Sequence, residues 1–231
     1  MYKNSEKFLT AFTKIEKQLK SRLDNRRDVG FSRSVKILQS SNAIVRRYID
    51  DLLSFAELRN AIVHNKIDMA YAIAEPHDSI VERIERIEKE LTHPKLVGSM
   101  FNKKVFAFKE NDSLVDMLIM FREKDLSKFP IYENNMFKGL LTQKGIAKWL
   151  ANNATDPQLA KKTSIKEVLP FEGENNYKFI ASKVSVYRAV ELFREQVGRG
   201  KRLEALLITK TGMPEEKLEG IITAWDILDT N

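Results

Sequence analysis

The stretch RNAIVH, Arg59 to His64, carries three side chains with the means to act on a phosphodiester. On a helix Asn60 and His64 are four apart and share a face, while Arg59 is offset and must curl its long side chain round to join them. Histidine exchanges protons near neutral pH, and arginine offers a phosphate a planar, permanently charged set of donors. A base for a 2′-hydroxyl proton and a cation for the phosphorane-like charge are sufficient in kind for RNA cleavage without a metal. One such pair is sparse, and a symmetric dimer would bring two together across its axis. The same residues serve equally well as a hydrogen-bonded polar network where two helices touch.

A second constellation is GIITAWD, Gly220 to Asp226. Two β-branched residues finish a buried strand, Thr223 stands where a helix begins, and Asp226 follows one turn later on the same side. A helix start attracts phosphate through its free N–H groups and dipole, the threonine hydroxyl adds a donor, and the carboxylate can accept from ribose hydroxyls. The plainer alternative makes Thr223 an N-cap and Asp226 a favourable first-turn acid. An earlier stretch, GLLTQKG, keeps Thr142 but has Gly145 where the acid would be, with Lys144 beside it. Lys144 is either a phosphate contact or a solvated lysine, and Arg199, Lys201 and Arg202 of GRGKRL are either a phosphate clamp or a solvated loop.

The elements that position these residues fall into two regimes. Over the first 93 residues the apolar positions keep helical spacing, with Phe8, Phe12, Ile15 and Leu19 in one stripe and Ile80, Ile84, Ile87 and Leu91 in another. DNRRDVG reads as a break, FSRSVKILQ as a short second helix, SSN as the N-cap of a long third helix, and Pro76 as an early residue of the fourth. Pro94 and Gly98 oppose continuation. The expectation is a four-helix unit.

Beyond it the chain repeats. SLVDMLIMFRE at 113–123 aligns with SVYRAVELFRE at 185–195, an offset of 72, and KGLLT at 138–142 aligns with EGIIT at 219–223, an offset of 81. Nine extra residues therefore lie in the second copy, around GRGKRL and KTGMPEEK. Each copy reads strand, helix, strand, strand, helix. In the first copy the strands are expected near Val105–Phe108, Lys128–Glu133 and Phe137–Leu141, with Asn134 and Asn135 turning the hairpin. Two copies of so small a unit should pack together, since neither buries its apolar faces alone.

Composition narrows the chemistry. The 231 residues are 43% hydrophobic and 31% charged, as in an ordinary folded protein. The absence of cysteine excludes disulfides, zinc–thiolate sites and thiol nucleophiles and suits a reducing cytoplasm. The net charge of +7 is uneven: residues 1–66 hold 14 Lys/Arg against 7 Asp/Glu, a bias that suits a polyanion. No apolar stretch approaches a membrane span, and MYKNSEKFLTAF lacks the apolar block of a signal peptide. His77 and His93 have no second ligand at helical spacing, so no metal is expected, and no P-loop, GxGxxG or GxSxG is present.

The strand–helix order, the repeat, FPIYENNMFKGLLT and GIITAWD together resemble a tandem pair of CBS domains, the cystathionine β-synthase type of ligand-sensing module. The resemblance covers roughly 95–231. It implies an adenine nucleotide as ligand (AMP, ADP, ATP or cyclic di-AMP), with Thr223 and Asp226 in the binding roles. Gly220 and Ile222 beside them, and Thr142 and Lys144 of the first copy, which departs from the family pattern at Gly145, complete the candidate nucleotide-binding residues. Arg59, Asn60 and His64 on a long helix of an all-α unit look like the RNxxxH form of the HEPN domain (higher eukaryotes and prokaryotes nucleotide-binding). That family includes dimeric ribonucleases using this Arg and His, and inactive interaction modules. The expected architecture is α+β, with a HEPN-like four-helix domain at 1–93 and two βαββα CBS modules at 95–154 and 163–231, packed as a pair. The expected function is a cytoplasmic, homodimeric regulatory protein in which nucleotide occupancy alters the helical domain. The alternatives are a nucleotide-gated, metal-independent ribonuclease acting on RNA, and a ligand-free dimerisation module.

Overall fold

Residues 3–23, 29–64, 75–153 and 158–228 are described by the structure, a computed structural model. Contacts divide the chain into two units, Met1–Lys95 and Leu96–Asn231.

The first unit is helical: α1 (Lys3–Ser21), α2 (Phe31–Leu38), α3 (Ala43–Arg47), α4 (Ile49–His64) and α5 (Asp78–Thr92). Phe8, Phe12, Ile15 and Leu19 are buried along α1 as their spacing predicts. On α5 the buried row is Val81, Ile84, Ile87 and Leu91, with Ile80 at its margin. Each such side chain contributes about 1.5–3 kcal/mol on leaving water. Phe8 meets Phe55 edge-on at 5.7 Å, and Phe12 stacks on Phe31 at 4.3 Å, joining α1 to α4 and α2.

Asn42 caps the third helix as expected, its side chain accepting from Ile44 N and Val45 N. The single long helix, however, breaks at Tyr48, where φ is −110° and ψ 23°. Ala43, Ile44 and Val45 are all buried, and no one face of a straight helix holds three consecutive residues. The break turns them inward together with Leu52, Phe55 and Ala56 of α4. Buried Tyr48 lies under the Arg83 guanidinium, 5.1 Å away, and Arg83 in turn donates to both Asp51 oxygens at 3.1 and 2.8 Å, tying α5 to α4. Pro76 lies ahead of α5 rather than inside it. His77 is the N-cap, and the Pro76 carbonyl is held by Asn4 Nδ2 at 3.1 Å. Residues 24–28 of DNRRDVG lie outside the described residues.

The second unit opens with the short helix α6 (Val97–Met100), so Gly98, expected as a breaker, is helical; only Pro94 follows the end of α5. Then come β1 (Phe108–Lys109), α7 (Leu114–Lys124), β2 (Lys128–Glu133), β3 (Met136–Thr142) and α8 (Gln143–Asn152). After α9 (Leu159–Lys162) and α10 (Ile165–Val168), the order recurs as β4 (Tyr177–Ala181), α11 (Val186–Gly198), β5 (Ala205–Thr209), β6 (Gly220–Ile222) and α12 (Ala224–Leu228). In each module the first strand pairs parallel with the second, and the second antiparallel with the third. The repeated serines are the N-caps of the repeated helices: Ser113 accepts from Val115 N and Ser185 from Arg188 N. Asn134 and Asn135, both at positive φ, turn the first hairpin.

Strand β1 is shorter than the expected Val105–Phe108. Its pairing starts at Phe108 opposite Ile131, because the preceding residue of β2 is Pro130, which has no N–H to give. The extra residues of the second copy form an ordered loop: Thr211 N and Oγ1 donate to the Glu216 carboxylate at 2.6 and 2.9 Å, and Gly212 turns at a φ of 91°.

Each module is completed by chain from outside it. Val97 N donates to Val184 O and Gly98 N to Ser182 O, both at 2.9 Å, and Val97 and Phe101 enter the core of Ile180, Val186, Ile208 and Ile222. Conversely, Leu114 N donates to Thr163 O and Ile165 N to Asp112 O, both at 3.0 Å, and Ile165 and Val168 enter the core of Leu114, Phe129, Ile131 and Trp149. The sheets meet through Phe137, which packs edge-on against Tyr177 at 4.7 Å and Phe179 at 5.0 Å.

A Cβ at Gly98 would come within 2.6 Å of Ser182 Cβ and 2.8 Å of its carbonyl oxygen. Gly98→Ala should therefore cost about 1–3 kcal/mol in urea unfolding, the usual penalty for overpacking, and an unchanged midpoint would contradict this packing.

Candidate functional site

The start of α12 is built by three elements. Strand β6 delivers Thr223, the first turn of α12 delivers Asp226, and the segment after α6 delivers Lys103. Asp226 Oδ2 accepts from Thr223 N and Thr223 Oγ1, each at 2.8 Å, and Oδ1 accepts from Lys103 Nζ at 3.2 Å. Gly220 and Ile222 are buried in the strand. Gly220 permits this assembly: Asn102 bridges to it, and a side chain there would overlap the Phe101 carbonyl.

Burial pushes the Asp226 carboxyl up, but the Thr223 amide and hydroxyl and the Lys103 ammonium outweigh it and hold the group below the ordinary aspartate value. The site thus offers an ionised carboxylate with an exposed cation beside it, the Lys103 side chain being 60% exposed. Trp225 is 75% exposed next to it.

At the start of α8, Thr142 is buried and is the N-cap, accepting from Lys144 N at 3.2 Å, while the Lys144 side chain is exposed. Gly145 is covered by Glu172, whose Oε1 accepts from Thr142 N and Gly145 N. In the GRGKRL loop, Arg202 pairs with Glu204 at 2.5 Å. In the helical unit, Arg59 Nη1 donates to Asn60 Oδ1 at 3.3 Å. Both residues line a cavity of about 300 Å³ with Arg33, Ser32 and Glu16, so neither is sealed inside a helix contact. The His64 side chain lies outside the described residues. Lys103 and Glu172 are the residues that sequence reasoning missed. For Glu172 the one signal was the glycine that left room for it.

Residues 97–152 match the family model of the CBS domain. No curated protein matches the chain. Among solved structures, the CBS domain of a CBS domain containing membrane protein from Sphaerobacter thermophilus is 15% identical, over 65% of this chain and 96% of that one, with a TM-score of 0.48. A CBS domain pair solved with 5′-methylthioadenosine and S-adenosyl-L-methionine is 18% identical, over 59% and 95%, with a TM-score of 0.45. CBSX2, solved with AMP, is 18% identical, over 59% and 95%, with a TM-score of 0.43. The matched segment is the first βαββα module with α6 ahead of it, and the second module repeats its topology. Among the described residues no helix is long and apolar enough to cross a membrane.

Because Asp226 is held below the ordinary aspartate value of 3.8, its contribution to stability is complete above that pH and is lost as pH falls through the lowered folded value. Asp226→Asn should flatten the acid limb of the melting-temperature profile below about pH 4. Parallel wild-type and variant profiles would refute the assigned bonds.

Proposed function

We propose that Leu96–Asn231 is a CBS pair that senses an adenine nucleotide, AMP, ADP, ATP or cyclic di-AMP, through Gly220, Ile222, Thr223 and Asp226. In the first module Thr142 occupies the position of Thr223, and Lys144 precedes Gly145, the counterpart of Asp226. The observation that carries this reading is the ionised Asp226 carboxylate, fixed by Thr223 and faced by exposed Lys103. The CBS match over 97–152 and the repeated topology support it. Asp226 accepts from ribose hydroxyls, and Lys103, released from Asp226, turns to the phosphate. The pull on Lys103 passes into the segment 96–103, which in sequence follows directly on the helical unit. Nucleotide occupancy thereby alters a HEPN-like helical domain, in a homodimer in the cytoplasm.

Asp226→Ala should weaken ADP binding by about 2 kcal/mol, close to thirtyfold in Kd, with the fold intact. Unchanged affinity by calorimetry would refute the site, and no binding of any of the four nucleotides would leave a ligand-free dimerisation module.

A second reading makes the helical unit a nucleotide-gated ribonuclease. It is favoured by the cavity in which Arg59, Asn60 and Arg33 gather, a setting for an RNA phosphate. With Arg59 as the cation and His64 as the base, cleavage of single-stranded RNA should persist in EDTA and disappear in Arg59→Ala and His64→Ala alike. Cleavage by His64→Ala at the parent rate, or loss of activity with chelator, would exclude it.

A further inference from the structure

The two modules place a carboxylate at the helix start by opposite routes. Where β6 and α12 carry their own acid, Asp226, and receive a cation from the crossing segment, β3 and α8 carry Gly145 and Lys144 and receive an acid. That acid is Glu172, in the turn that follows Leu169–Phe171. The two glycines are equivalent in the repeat, though one meets a backbone carbonyl and the other a side chain. Phe101 lies against Gly220 and Leu169 against Gly139, and a few residues further on each segment presents a charged side chain to the neighbouring helix start.

At the start of α8 each amide is already engaged. Glu172 Oε1 accepts from Thr142 N at 2.5 Å and Gly145 N at 3.2 Å. Gln143 N donates to Ser127 O at 3.2 Å, and Lys144 N to Thr142 Oγ1 at 3.2 Å. The other oxygen of Glu172 accepts from Asn176 Nδ2 at 3.0 Å. A phosphate arriving here meets a carboxylate in place of free N–H groups. Glycine at 145 is the partner of this arrangement, since a Cβ there would overlap the Glu172 carboxylate. Beside it a recess of about 390 Å³, lined by Lys138, Leu169 and Tyr177, gives Glu172 room to swing aside.

We propose that Glu172 is a built-in blocking residue: it closes the first module to the phosphate of a nucleotide and restricts each chain to one adenine nucleotide, held by the second module. The count of one rests on the proposed function of Thr223 and Asp226; the closure of the first module does not.

Calorimetric titration of the full chain with ADP tests both separately. Glu172→Ala removes the block, and Gly145→Asp evicts Glu172 by its Cβ while restoring the acid of the motif. Each variant should bind one ADP per chain more than wild type. In Glu172→Ala carrying Asp226→Ala as well, the added site should remain unchanged while the second module's site weakens about thirtyfold. Equal numbers of sites in wild type and the folded variants overturn the proposal, and if only one variant folds, that one decides. A wild type that binds no ADP, beside a variant that binds one, would uphold the block and refute the role given to Thr223 and Asp226.

Discussion

The second unit depends on a crossing of chain. Two backbones approach closely where Asn102 meets Gly220, and Leu169 lies against Gly139 in the related position. Only glycine admits the first contact, because any side chain at 220 would fall on the Phe101 carbonyl. From that approach follows the placement of Val97 and Phe101 in one core and of Ile165 and Val168 in the other. The same crossing segments carry Lys103 and Glu172 to the helix starts, so packing and site chemistry share one origin.

The helix starts then obey a single electrostatic demand. Amides at the first turn need acceptors, and the positive end of the dipole favours a carboxylate. Asp226 meets the demand from within its own helix, while Glu172 meets it from a different part of the chain. Asn176 extends the second arrangement: its side chain reaches Glu172 and the Leu140 carbonyl, and its own carbonyl accepts from Glu204 N and Ala205 N at the entry to β5. Lys128 and Glu204, both little exposed, stand 3.9 Å apart across the same boundary. The first helix start is therefore joined by hydrogen bonds through Asn176 to the entry of β5 in the second module.

What could be read in the sequence follows from range. The Asn42 cap, the Asn134–Asn135 turn and the stripe on α1 are local patterns, and they stand where they were expected. The breaks came from competition. Tyr48 interrupts a helix that propensity would continue, because three consecutive apolar residues need the core, and Pro130 shortens a partner strand more than 20 residues away in sequence. Thr223 and Asp226 were legible as a pair because they lie within one turn. Lys103 is 123 residues from the carboxylate it meets and Glu172 is 27 from Gly145, and no spacing rule spans such distances.

The crossing also sets the order of events on the ribosome. Asn102 finds its bridge partner Gly220 only 118 residues later, which at about 5–20 residues per second is a wait of roughly 6–24 seconds. Through that interval Val97 and Phe101 belong to a core that has not yet been made. The first module likewise stays unfinished until Ile165 and Val168 arrive. The first module therefore has its own core in hand well before the second, whose core joins Val97 and Phe101 to residues as late as Ile227. The second module closes only once β6 has emerged, and any pause in translation before residue 220 prolongs the time for which Val97 and Phe101 stand without their core.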